Sequence, residues 1–195
     1  MKLTRRFNDA LLYALNLHAN QLRKGTSTPY AAHLLAVSAL VLEYGGDEDQ
    51  AIAALLHDAV EDQGGRQRLI EIENRFGNRV SEIVKACTDS WETPKPPWRA
   101  RKEAYLEHLQ GIPDEAKLVS CADKIHNGRA IVRDAHSEGD KVWNRFKGGK
   151  DGTVWYYRSI LNILQESYEH PIVNELAEVV DQLLTLADQT AELDR

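Results

Sequence analysis

The run AIAALLHDAVEDQGG restricts the fold more than any other part of the chain. Ala51, Ile52, Ala54, Leu55 and Leu56 form an apolar stretch that leads directly into His57 and Asp58, with Glu61 and Asp62 one helical turn further on. Burial of the apolar residues draws the polar ones inward. Each unpaired charge drawn inward costs roughly several kcal/mol unless a metal ion or an opposite charge meets it. The fold must supply that partner. Two further side chains of ligand type stand at distant positions, His33 in PYAAHLLAV and Asp123 in SCADKIHN.

The apolar periodicity is helical nearly everywhere. Phe7, Leu11, Ala14, Leu15, His18 and Leu22 predict a first helix, closed by the polar loop RKGTSTPY. Pro29 is placed in the first turn of a second helix, which carries His33, Val37, Leu40, Val41 and Tyr44 on one face. A third is expected from about Asp49 to Asp62, stopped by Gly64-Gly65. Two shorter helices follow, around Leu69–Phe76 and Val80–Cys87, broken at Gly77. WETPKPPWRARK reads as a surface loop entering a helix over Arg99–Leu109. Further helices are expected from Pro113 through Asp123 to near His136, around Trp143/Phe146, from near Asp151, and from Pro171 to about Ala191. No useful strand pattern, internal repeat or low-complexity segment is present. The expected fold is all-α, a single domain across residues 1–195.

The residue types at these positions suit one kind of chemistry. A divalent ion that acts on phosphate needs N and O ligands with positions left open for water and substrate. Two His and two Asp suit Mn²⁺, Fe²⁺ or Zn²⁺ better than Ca²⁺, which prefers all-oxygen sites. On a helix, His57 and Asp58 are neighbours close enough to share one ion, while Glu61 and Asp62 fall three and four residues after Asp58 on an overlapping face. There they could orient an attacking water or pass protons. Taken singly, each residue has an ordinary alternative. His33 could be a hydrogen-bonded core histidine, Asp123 a salt-bridge partner of Lys124 or Arg129, and Glu61-Asp62 a solvated helix end. Their joint occurrence in this order favours the metal site.

The same residues carry a family resemblance. His18…Gln21-Leu22-Arg23-Lys24, Thr28-Pro29-Tyr30…His33, Ala53-Ala54-Leu55-Leu56-His57-Asp58…Glu61-Asp62, Phe76-Gly77, Thr88-Asp89 and Ala122-Asp123-Lys124…Asn127 stand in family order over about residues 14–130. This string resembles the HD-domain superfamily, and within it the small alarmone hydrolases and the hydrolase domain of the Rel/Spo proteins. The resemblance implies an all-α HD-domain helical bundle. It implies one divalent ion, usually Mn²⁺, held by His33, His57, Asp58 and Asp123, with Glu61 and Asp62 as the pair that activates and positions water. Arg23 and Lys24 would contact the nucleotide or its phosphates, Asn127 the ribose or the reacting 3′-phosphate, and Tyr156 the ligand as a nearby aromatic. The implied reaction removes pyrophosphate from the 3′ position of guanosine tetra- or pentaphosphate. Three features depart from the pattern: Leu34 stands where a proline is common, Ser120 where a lysine is usual, and the 91–102 segment and the chain beyond about Ala135 follow it only loosely. They leave room for an HD-family phosphohydrolase of another nucleotide, a monophosphate or a phosphorylated dinucleotide cofactor. A non-enzymatic nucleotide sensor would be expected to have lost a ligand or the acidic pair, and none is lost.

A formal net charge of −6, from 24 basic and 30 acidic residues, argues against polymeric nucleic acid as partner. It leaves a small phosphorylated nucleotide, which needs only a local basic patch. Lys95, Arg99, Arg101 and Lys102 beside Trp98 read either as a phosphate clamp or as a solvated helix start. Trp143, Phe146, Trp155 and Tyr157 are expected to be packing aromatics. Cys87 and Cys121 form no CxxC or zinc spacing and are expected as reduced thiols. The N-terminus lacks an apolar signal region, and no stretch approaches about 18 apolar residues. A cytoplasmic protein without membrane contact is expected. The apolar stripe of the last helix could serve a homo-oligomer, although packing on its own domain is commoner.

Overall fold

The computed structural model describes residues 2–91 and 94–193. Glu92 and Thr93 of the expected surface loop lie outside them. Among the described residues there are helices and turns but no strand, only an isolated bridge between Leu22 and Pro29. The chain divides into two compact units, residues 1–96 with 112–123, and residues 97–111 with 124–195.

The first unit is organised around its most apolar helix. In chain order it holds α1 (Arg5–Leu17), α2 (Ala31–Glu43), α3 (Glu48–Leu56), α4 (Ala59–Asp62), α5 (Gly65–Phe76), α6 (Asn78–Cys87) and the first turns of α8 (Asp114–Glu138). Asp47 starts α3 with a capping box, accepting from Gln50 N while the Gln50 side chain accepts from its own backbone N–H. All six residues from Ala51 to Leu56 are fully buried, and α3 packs against α1, α2 and α6. Removing Ile52, Leu55 and Leu56 from water contributes about 1.5–3 kcal/mol each. That burial fixes where α3 ends and so where His57 emerges. Gly77, at φ +94° between α5 and α6, allows the sharp turn that a side chain would strain.

Three boundaries differ from the sequence expectation. The first helix ends at Leu17, and Leu22 is exposed in the 18–30 loop. Pro29 precedes the second helix, its carbonyl accepting from Ala32 N, because the chain at 21–30 is drawn into a hairpin. The expected helix to Asp62 is interrupted at His57-Asp58. Asp58 sits at φ −93°, ψ −5°, in the bridge region that opens a helical turn, and α4 begins anew with Asp62 N donating to Asp58 O.

The second unit comprises α7 (Trp98–Gly111), the rest of α8, a 3-10 turn (Gly139–Arg145), α9 (Gly149–Ser167) and α10 (Ile172–Leu193). Both α7 and α10 pack on α9. The α10 stripe of Ile172, Leu176, Val179, Val180 and Leu183 is buried within the chain. At Gly148 a Cβ would come within 2.5 Å of the Trp98 ring, so glycine there admits the indole. Trp143 and Tyr157 are buried as expected, and neither cysteine is in a disulfide.

Candidate metal centre

Three segments of the first unit bring the ligand-type residues together. His33 comes from the first turn of α2, His57 and Asp58 from the break after α3, and Asp123 from α8. Possible ligand atoms of His33, His57 and Asp58 all lie within 4.8 Å of one another. His33 Nε2 is 3.5 Å from Asp58 Oδ2 and 3.3 Å from Asp123 Oδ1. His57 Nε2 is 3.0 Å and 3.6 Å from the same two oxygens. Both imidazoles are buried, as is Asp123.

The hydrogen bonding of His57 tests whether a cation fits. Its Nδ1 lies 2.7 Å from Ala54 O. A carbonyl only accepts, so Nδ1 carries the proton and a neutral ring turns the Nε2 lone pair inward. Among the described residues that buried Nε2 has no hydrogen-bond partner, and it faces two carboxylates. Lone pair against carboxylate is repulsive unless positive charge lies between them. Burial alone would push the His57 pKa down, yet the Asp58 and Asp123 carboxylates raise it well above the ordinary histidine value, so without a metal ion the ring supplies that positive charge by taking a proton. Burial likewise opposes ionisation of Asp58, and His57 with His33 outweighs it, holding the carboxyl well below its usual range. The pocket thus selects for a cation, and two N with two O donors fit a divalent transition ion.

Asp58 has a further partner. Tyr30 OH donates to its Oδ2 at 2.6 Å. Burial, then the Asp58 charge, pushes the phenol pKa far above its normal value, so the group remains a donor.

Glu61 and Asp62 flank this cluster on α4. Lys95 Nζ reaches Glu61 Oε1 at 2.7 Å and Asp62 Oδ1 at 3.4 Å. Burial and the nearby Asp89 push the Glu61 carboxyl up to about 7, against the lowering effect of Lys95. A carboxylate with that pKa is suited to accept a proton near neutral pH. Asp62 Oδ2 accepts from Gln21 Nε2 at 2.9 Å.

Of the other expected residues, Arg23 and Lys24 lie in the 18–30 loop, Arg23 with its guanidinium over the Tyr30 ring and Lys24 exposed. Asn127 is one turn beyond Asp123 on α8, and Tyr156 is on α9; both belong to the second unit. There Tyr156 is buried, edge-on to Trp98, with Lys102 Nζ 4.7 Å from its ring centre. The basic residues at 95–102 have contacts within their own units. Lys95 joins the acidic pair, Arg99 pairs with Glu103 and lies over Trp155, and Lys102 lies over Tyr156. Arg129, a candidate partner of Asp123, pairs instead with Glu175.

Sequence reasoning assigned no role to Gln21, Tyr30 or Asp89, and placed Lys95 only among those basic residues. Tyr30 did carry a signal, since it precedes His33 by three residues at a helix start. The contacts of Asp89 and Lys95 depend on where the chain at each of them runs, which no local pattern encodes.

Helical architecture and the gathered His/Asp set define the class: the chain belongs to the HD domain family, whose pattern matches residues 10–154. Among known relatives, the guanosine-3′,5′-bis(diphosphate) 3′-pyrophosphohydrolase MESH1 of Xenopus tropicalis is 40% identical over 128 residues, 64% of this chain and 69% of that protein. A solved structure described as a metazoan ortholog of SpoT that hydrolyzes ppGpp superimposes with a TM-score of 0.77 at 26% identity, over 93% of this chain and 97% of the other. The crystal structure of lmo0812 from Listeria monocytogenes gives a TM-score of 0.70 at 30% identity, over 78% of this chain and 99% of its own.

Proposed function

We propose that this protein is a metal-dependent phosphohydrolase that removes pyrophosphate from the 3′ position of guanosine tetra- or pentaphosphate, leaving GDP or GTP. The observation that carries the reading is the meeting of His33, His57, Asp58 and Asp123 beside a second acidic pair, Glu61 and Asp62, one member of which has a pKa near 7. The similarity to a MESH1 pyrophosphohydrolase supports the guanosine substrate.

In this reading His33, His57, Asp58 and Asp123 would hold one divalent ion, Mn²⁺, which when bound would supply a lowered pKa for water and positive charge towards the phosphates. Glu61 accepts the proton of the attacking water and Asp62 orients that water. Water oxygen bonds to the 3′-linked phosphorus as the bond to the ribose 3′ oxygen breaks; that oxygen takes up a proton and becomes the 3′-hydroxyl of GDP or GTP, and pyrophosphate carrying the water oxygen is released. Arg23, Lys24 and Lys95 neutralise phosphate charge that builds in the transition state. Asn127 contacts the ribose or the 3′-phosphate, and Tyr156 stands as an aromatic near the ligand. The chain works as a single HD-type domain with its motif core at about 14–130 and C-terminal helices at about 151–191. Its net charge of −6 does not favour polymeric nucleic acid. Among the described residues no helix is long and apolar enough to cross a membrane, and two cysteines outside any disulfide suit the cytoplasm.

The test is hydrolysis of guanosine 3′,5′-bisdiphosphate by Mn²⁺-loaded protein with the products separated chromatographically. GDP and pyrophosphate are expected, and Asp58→Ala abolishes their release. Folded, Mn²⁺-bound protein that leaves the substrate intact would overturn the guanosine assignment and direct attention to other phosphorylated nucleotides.

A further inference from the structure

The 18–30 loop does more than carry Arg23 and Lys24. Its two sides are registered by backbone bonds: Tyr30 N donates to Gln21 O at 2.9 Å and Arg23 N to Thr28 O at 2.8 Å. Gln21 and Tyr30 therefore face each other across the stem, with the two basic residues just beyond. Each stem residue sends its side chain to a different carboxylate. Tyr30 OH donates to Asp58 Oδ2, and Gln21 Nε2 donates to Asp62 Oδ2.

Neither contact is free to turn over. Gln21 Oε1 accepts from Gln63 Nε2 at 2.8 Å and lies 2.7 Å from His18 Nδ1. With the carbonyl end fixed by those two donors, the amide NH₂ must point at Asp62. The Tyr30 ring is stacked on His18 at 5.2 Å and meets His33 edge-on at 5.4 Å, which sets the direction of its hydroxyl. A carboxylate that receives such a donor loses rotational freedom before any ligand arrives, and the energy of orientation is then not drawn from the later step.

We propose that Gln21 and Tyr30 are paired positioning residues, Tyr30 locking Asp58 for the cation and Gln21 locking Asp62 for the water. The proposal rests on the roles given above to Asp58 and Asp62. Because one hairpin stem sets both carboxylates and also carries Arg23 and Lys24, it ties the phosphate-binding loop to the metal and to the water.

Tyr30→Phe removes one oxygen and keeps the ring between the two histidines. Its Mn²⁺ affinity, measured calorimetrically without substrate, is expected to fall about 10-fold or more. Gln21→Leu is expected to keep Mn²⁺ affinity within about twofold and KM nearly unchanged, while kcat falls about 10-fold or more. Gln21→Glu keeps the size and the acceptor for Gln63 and His18, but turns an oxygen towards Asp62; it should lose at least as much kcat as Gln21→Leu. Thermal unfolding of each variant establishes that it is folded, and the two Gln21 variants check one another. Wild-type Mn²⁺ affinity in Tyr30→Phe, or wild-type kcat in both Gln21 variants, would overturn the proposal. The metal arm needs no nucleotide. Wild-type protein that binds Mn²⁺ but does not hydrolyse the guanosine substrate would overturn the function proposed above, and Tyr30→Phe would still decide this one.

Discussion

Glu61→Gln separates stability from activity at the candidate centre. Glu61 is about four-fifths buried at its side chain, with 20% exposed. Its carboxyl is raised from 4.5 to about 7, by burial first and then by Asp89. The sign follows from linkage. Below about pH 4.5 the folded and unfolded chains both hold the proton and no penalty arises; between 4.5 and about 7 the unfolded chain ionises first, so stability falls as pH rises; above about 7 the full penalty is present. At about 1.4 kcal/mol per unit of pKa, the ionised carboxylate destabilises the metal-free fold by up to about 3 kcal/mol. Glutamine has the same shape, carries no charge and can still accept from Lys95. Urea unfolding of chelator-treated wild type and Glu61→Gln, near pH 5 and about pH 8, should show the variant gaining up to about 3 kcal/mol of relative stability across that range. Turnover of the Mn²⁺-loaded variant should fall about 10²–10⁴-fold, the usual worth of a general base. A stability difference that does not change with pH would refute the buried, proton-holding state of Glu61. Undiminished turnover would refute its role as base.

Other outcomes follow from the same geometry. His57→Ala removes a donor that faces both carboxylates, and Mn²⁺ affinity measured by calorimetry should drop by more than about 100-fold, beyond what loss of a supporting hydrogen bond causes. Asp47→Ala removes the α3 capping box and one ion pair of the exposed Arg79; thermal or urea unfolding should show a loss of about 1–2 kcal/mol, nearly all from the cap.

Much of the fold was legible in the chain because helices announce themselves locally. The 3.6-residue recurrence of apolar residues placed the long helices, and Gly77 marked the α5–α6 break. Errors fell where a side chain's distant partner overrode local pattern. His57-Asp58 reads as mid-helix, yet the helix opens there, with the Asp58 carboxylate held by Tyr30 from another element. Leu22 and Pro29 read as helical, yet they bridge across the stem that holds Gln21 against Asp62.

The sequence by itself determined the identities of the groups: an apolar run that must be buried, the histidines and carboxylates carried in with it, and hence the need for a cation. That follows because the cost of burying charge depends on residue type and local burial, both of which the order of residues specifies. Only the tertiary structure decided which groups meet. It set the 3.0–3.6 Å approaches of His33, His57, Asp58 and Asp123, the tautomer of His57, the capture of Glu61 by Lys95 and the two carboxylates held by one hairpin. Charge and hydrogen bonding act over a few ångströms of space, and residues separated by tens of positions reach that range only after the helices have packed.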